Sequence, residues 1–116
     1  MPVKVKTAPI PGAPEGSRRL SIIANAMREG KTVSFVYDGQ LRVVEAHAVG
    51  VGPKGTLLMR GYQVSGHSSR PLPHWGLFTI AKMELLDFGK EASRAPREGY
   101  RQGDKGLTLI AAEIVL

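Results

Sequence analysis

Three short apolar runs, TVSFVY (residues 32–37), LRVVEAHAVGV (41–51) and TLLMRGY (56–62), are separated by Asp38-Gly39 and by Pro53-Lys54-Gly55. No other feature of the chain constrains its fold as tightly. Each run is rich in β-branched or aromatic residues, and each separator carries residues that accept the backbone angles of a reversal, so the stretch reads as an antiparallel meander. Val33, Phe35 and Tyr37 alternate with Thr32, Ser34 and Val36, which gives the first strand one strongly apolar face. The second run is long for a small sheet, and its apolar residues change parity: Leu41 and Val43 fall on one side, Val44, Ala46 and Ala48 on the other. A bend or bulge that swaps the buried face resolves that conflict. Long bent strands of this kind let a five-stranded sheet close into a small barrel and hide its edges.

Before the meander the period changes. Leu20, Ile23, Ala24 and Met27 fall at helical spacing and Gly30 follows as a terminator, which predicts one amphipathic helix with Ser17 at its N-cap. Arg18 and Arg19 stand in its first turn, where the helix dipole disfavours cations by a few tenths of a kcal/mol. They either face an anionic partner or swing into water. Burial of Leu20, Ile23 and Met27, roughly 1.5 to 3 kcal/mol each, outweighs that penalty. The helix should therefore cap one open side of the sheet. Residues 1–16 hold four of the eight prolines, so they are expected to form a disordered arm before a single domain at 17–116.

After the meander, residues 65–76 break the rhythm with two prolines and many small polar residues, as a long loop would. Its His67, Arg70, His74 and Trp75 suit either an anion or base-stacking site or a hairpin tip anchored by the indole. Residues 77–88 read as a fourth strand and 91–106 as charged and turn-rich. The final LTLIAAEIVL is apolar on both parities, so as a strand it needs cover on both faces, from the helix, another chain or both. Its Ala111-Ala112-Glu113 centre is also compatible with a helix.

A chain of 116 residues has room for one core. With no cysteine there is no disulfide framework, thiolate metal site or thiol nucleophile, which fits a cytoplasmic protein. No stretch approaches the ~18 to 20 apolar residues of a membrane span. The formal charge of +6 favours polyanions as partners. It is concentrated in residues 1–60, which hold nine Lys or Arg against four acids, whereas residues 61–116 hold seven against six. His47, His67 and His74 lack metal-ligand spacing, and no nucleophile elbow, phosphate loop or carboxylate pair is present. Neither a metal, a cofactor nor an enzymatic activity is expected.

The order of elements over residues 20–88 resembles the WYL domain, a small Sm-like β-barrel module of bacterial and phage proteins. The likeness rests on Phe35-Val36-Tyr37 after the helix, Arg42-Val43-Val44-Glu45-Ala46, Gly61-Tyr62, and Phe78-Thr79-Ile80-Ala81-Lys82-Met83. The name-giving Trp-Tyr-Leu is Leu57-Leu58-Met59 here, and two family arginines are Thr79 and Lys82. The resemblance implies a mainly β, α+β fold, a five-stranded barrel capped by one helix. It further implies a ligand-sensing module of transcription regulators or defence systems that receives nucleic acid or an anionic nucleotide-like ligand. Arg42, Tyr62 and Lys82 stand at matching family positions; Arg60, Arg70 and Trp75 are local candidates for the same surface. No helix-turn-helix precedes the barrel, so an accessory or regulatory factor is expected rather than an operator reader. The competing expectation is a structural protein, phage-encoded in one version, that has lost the ligand site and forms a homo-oligomer or binds a protein partner through its C-terminal run.

Overall fold

The computed structural model describes residues 3–9 and 18–116; Ser17, the expected helix cap, lies outside them. The elements run β1 (Val5–Thr7), α1 (Arg18–Glu29), β2 (Lys31–Tyr37), β3 (Gln40–Val51), β4 (Leu57–Gly66), β5 (His74–Thr79), β6 (Glu84–Ala92) and β7 (Leu109–Ile114). A 3-10 turn at Ile80–Lys82 separates β5 from β6. The chain is thus mainly β with one helix before the meander, and every strand pairing is antiparallel. Among the described residues there are seven strands where five were expected, and the pairing does not close on itself. No helix among them is long and apolar enough to cross a membrane.

β2 turns into β3 with Tyr37 opposite Gln40. Asp38 and Gly39 both take left-handed angles, φ 53° and 76°, as a tight two-residue hairpin demands. β3 is the central strand. One of its edges carries β4 from Arg42 to Val51, while the other carries β2 as far as Val44 and β7 from Ala48 onwards. On the β4 edge the register shifts between Val43 and Val44 and again between Ala46 and Ala48, and at the second shift His47 is the extra residue in β3, so a bulge is present in this strand, a few residues beyond the change of parity.

The bend is only half of the answer to that parity conflict, because Val43 to Gly50 are all buried. On the inner face, Phe35, Val44, Met59, Phe78 and Met83 pack beneath Ile23 and Met27 of α1, each at most 5% exposed. The opposite face is covered by the segment joining β6 to β7, residues 93–108, which we term the strap. A strand covered on both sides tolerates apolar residues at successive positions.

Three other segments differ from expectation. β4 runs on to Gly66 and β5 starts at His74, which shortens the long loop to residues 67–73. The expected fourth strand at 77–88 is divided by the 3-10 turn between β5 and β6. At the N-terminus, Val5–Thr7 pairs with β7, Val5 opposite Ile114 and Thr7 opposite Ala112. The expected disordered arm therefore contributes an edge strand, made possible by the proline-free stretch from Val3 to Ala8; residues 10–16 lie outside the described residues. The C-terminal run is a strand, not a helix. It lies between β3 and β1, and Ala111 to Ile114 are buried within the chain.

Candidate functional site

The six candidate residues fall into two groups on opposite faces of the sheet. Arg42 lies directly opposite Phe35 across the β2–β3 ladder, and facing partners in an antiparallel pair project to the same side. Its side chain is therefore directed to the inner, core side, at the end of the sheet where β2 finishes. There it meets Tyr37, the last residue of the Val33, Phe35, Tyr37 series. The Tyr37 ring stands edge-on to Phe35 and Phe78, at centroid distances of 5.9 and 5.5 Å. Its hydroxyl oxygen accepts the Thr79 N–H at 3.0 Å. The ring is fixed by these contacts.

Two cations use that fixed ring. The Arg42 guanidinium carbon lies 5.6 Å from the ring centroid, and Lys82 Nζ, carried by the 3-10 turn, lies 5.9 Å from it. Neither cation has a carboxylate within 4.0 Å among the described residues. Arg42 Nη2 reaches the Tyr37 carbonyl only at 3.5 Å, and Arg42 Nε is buried with no partner. A guanidinium is an obligate donor, so this one has unused capacity where the sheet ends.

The second group lies on the outer face, under the strap. Tyr62 and Trp75 are cross-strand partners with rings 5.1 Å apart. His47 and Tyr100 complete an aromatic cluster, the His47 ring lying 4.6 Å from Trp75 and 5.1 Å from Tyr100. The cations here are already engaged. Arg60 forms an ion pair with Asp104 at 2.7 Å, and Arg70 donates to the Trp75 carbonyl at 2.8 Å. Of the two readings for Trp75, the anchored one describes its position: it packs on β3, β4 and the strap, and its Nε1 donates to the Glu98 carbonyl at 3.3 Å.

Arg97 and Glu45, absent from the sequence-based candidates, hold this face together. The Glu45 side chain is 2% exposed. Its carboxylate accepts from Arg97 Nε at 2.6 Å, from Arg97 Nη2 at 3.2 Å and from the Arg94 N–H at 2.7 Å. The Arg97 guanidinium also lies 5.0 Å from the Tyr62 ring centroid. His47 Nδ1 is bonded to the Glu45 carbonyl at 2.9 Å, and its Nε2 accepts the Arg97 N–H at 3.0 Å. That pattern selects the neutral tautomer with the proton on Nδ1. Burial pushes the imidazole below its usual pKa, with the Arg97 charge acting in the same sense and the Glu45 carbonyl and carboxylate opposing. Burial also pulls Asp104 towards the neutral form, but hydrogen bonds from Arg60 and the Gly106 N–H prevail and hold its carboxyl below the usual range. Hydrogen bonding to Glu45 holds Arg97 more firmly protonated still.

The sequence carried one clue to this arrangement. Glu45 and His47 interrupt an apolar run that is buried on both faces, and buried polar groups require partners. Those partners had to come from elsewhere in the chain, and the strap supplies them.

No protein-family model matches the chain, and no curated protein or solved structure matches it.

Proposed function

We propose that this protein is a non-enzymatic binding module for nucleic acid or an anionic nucleotide-type ligand, received at the Tyr37 cluster. The observation that carries the reading is the convergence of Arg42 and Lys82 on one fixed aromatic ring, with neither cation in an ion pair. Arg60 and Arg97, by contrast, are committed to carboxylates. A phosphate would be met by the terminal guanidinium nitrogens of Arg42 and by the Lys82 ammonium together, and the half-buried Tyr37 ring would offer a base an apolar surface beside them.

The same reading includes a diverged WYL-type module with a small Sm-like barrel. It draws support from the strand order β6-β2-β3-β4-β5 behind a helix, with a 3-10 turn ahead of β6. On this view β1 and β7 are additions to the barrel. Such a module acts as an accessory or regulatory factor rather than as a self-contained operator reader.

Titration of a labelled oligothymidylate at several salt concentrations tests the proposal. Arg42→Ala and Lys82→Ala should each weaken binding and lower the slope of log affinity against log salt by about 0.7, the value for one phosphate contact on a single strand. Tyr37→Leu should weaken binding and leave the slope unchanged. Failure of the unmodified chain to bind at low salt, or binding indifferent to both charge substitutions, sinks the reading.

The competing scaffold reading has one observation in its favour. Leu41 and Leu85 flank β2 with 55% and 84% of their surfaces exposed, a place where a second copy could dock. Light scattering that shows a stable dimer, lost in Leu41→Ser/Leu85→Ser, would favour it.

A further inference from the structure

The outer face carries a feature that the Tyr37 cluster does not use. Between the strap and the outer face at β4 and β5 lies a cleft of about 500 Å³, within the range of small-molecule sites. It shares no residue with the Tyr37 cluster. Trp75 and Tyr100 line it, their rings inclined by only 24°. Trp75 is half-buried, so part of the indole remains open to a ligand.

Charge at the cleft is unbalanced. Arg60, Arg101 and Lys105 line it together with Asp104. Asp104 is occupied by Arg60. Arg101 and Lys105 are exposed, and neither lies within 4.0 Å of a carboxylate among the described residues. The uncompensated charge is therefore about two positive units, which matches the roughly −1.5 to −2 of one phosphate monoester at neutral pH. Backbone geometry keeps the aromatic wall clear. Gly99 takes φ 92°, and a Cβ placed there would lie 3.2 Å from the indole nitrogen of Trp75. Any larger residue would be strained and would crowd the ring.

We infer that this cleft is a second site, for a small planar phosphate monoester of the nucleoside monophosphate class. The base lies against Trp75, and the phosphate is held by Arg101 and Lys105. Aromatic stacking alone would accept the uncharged nucleoside, and the two cations alone would accept any phosphate. The combination requires both parts of the ligand.

Trp75 is the only tryptophan in the chain, so its fluorescence reports directly on the cleft. The full chain is titrated with adenosine 5′-monophosphate, with adenosine and with inorganic phosphate, following Trp75 emission and binding heat. The monophosphate should give saturable binding with a change in emission, and each of the other two should bind at least about tenfold more weakly. Arg101→Ala/Lys105→Ala, two exposed positions that leave the core untouched, should weaken the monophosphate by about tenfold or more. Lys90→Ala, an exposed cation that lines neither site, should leave the Trp75 response unchanged, and that response reads the cleft alone because Trp75 has no part in the Tyr37 cluster. No saturable response up to about 10 mM overturns the inference. So does equal binding of adenosine or phosphate, or loss of the Trp75 response in Lys90→Ala.

Discussion

Glu45→Ala is the most informative perturbation of the fold, because one carboxylate holds the strap at three points. It removes two bonds to Arg97 and leaves the Arg94 N–H without its acceptor. Removing one partner of a buried ion pair costs about 3 to 5 kcal/mol. The Arg97 side chain retains 29% exposure and can turn towards water, so the lower end, about 3 kcal/mol, applies. At ~2.1 cal/mol/K per residue, unfolding this chain carries an entropy of about 240 cal/mol/K, and each kcal/mol shifts Tm by about 4 °C. The expected loss is about 12 °C by calorimetry. Glu45→Gln keeps an acceptor for Arg94 and a neutral bond for Arg97, and should lose about half as much. Adding Arg97→Ala to Glu45→Ala should cost little more than Glu45→Ala alone, since the interaction is already gone. A Glu45→Ala protein melting within about 3 °C of the parent, or additive losses in the double variant, would refute the view that this pair clamps the strap.

Three further outcomes follow from the same contacts. His47 is held neutral, so the folded state binds fewer protons than the unfolded chain below the ordinary histidine pKa of 6.5; stability should be complete above that pH and decline as pH falls through and below it. Urea midpoints at neutral and mildly acidic pH check this, with His47→Gln flattening the dependence. Removing residues 1–8 takes away the β1 pairing and the partly buried Val3 and Val5, and should lower Tm by about 4 to 8 °C, for a loss of 1 to 2 kcal/mol; an unchanged Tm would show that β1 adds nothing. Ile23→Asp puts a carboxylate at a fully buried position of α1, and calorimetry should find no cooperative transition.

What could be read from the sequence was local. The helical spacing of Leu20, Ile23 and Met27, the Asp38-Gly39 reversal and the alternation of Val33, Phe35 and Tyr37 each specify backbone over a few residues, and the structure follows them. The strap could not be read that way. Residues 93–108 have no apolar period, so they resemble a solvated loop, and their order comes from acceptors some fifty positions away in sequence at Glu45 and His47. β1 is not legible for a related reason: three residues between prolines carry too little pattern to announce a strand, and only the exposed edge of β7 specifies one.

The candidate arginines show why residue type alone could not define the site. Arg42, Arg60 and Arg70 are equivalent as sequence letters, and a basic chain offers many such letters. What separates them is whether the fold supplies an acceptor. Arg60 meets Asp104 at 2.7 Å because the strap crosses β4 there, and Arg70 meets the Trp75 carbonyl because the loop ahead of β5 folds back on itself. Among the described residues no carboxylate lies within 4.0 Å of Arg42 or Lys82, although Asp38 follows β2 directly and Glu84 pairs with Val36; the Arg42 Nε stays unbonded and Lys82 is left beside the same ring. A buried donor without a partner costs about 1 to 3 kcal/mol or more when charged. A leucine in place of Arg42 would carry no such cost, so the unbonded Nε marks the one candidate arginine whose position the fold does not repay with an acceptor.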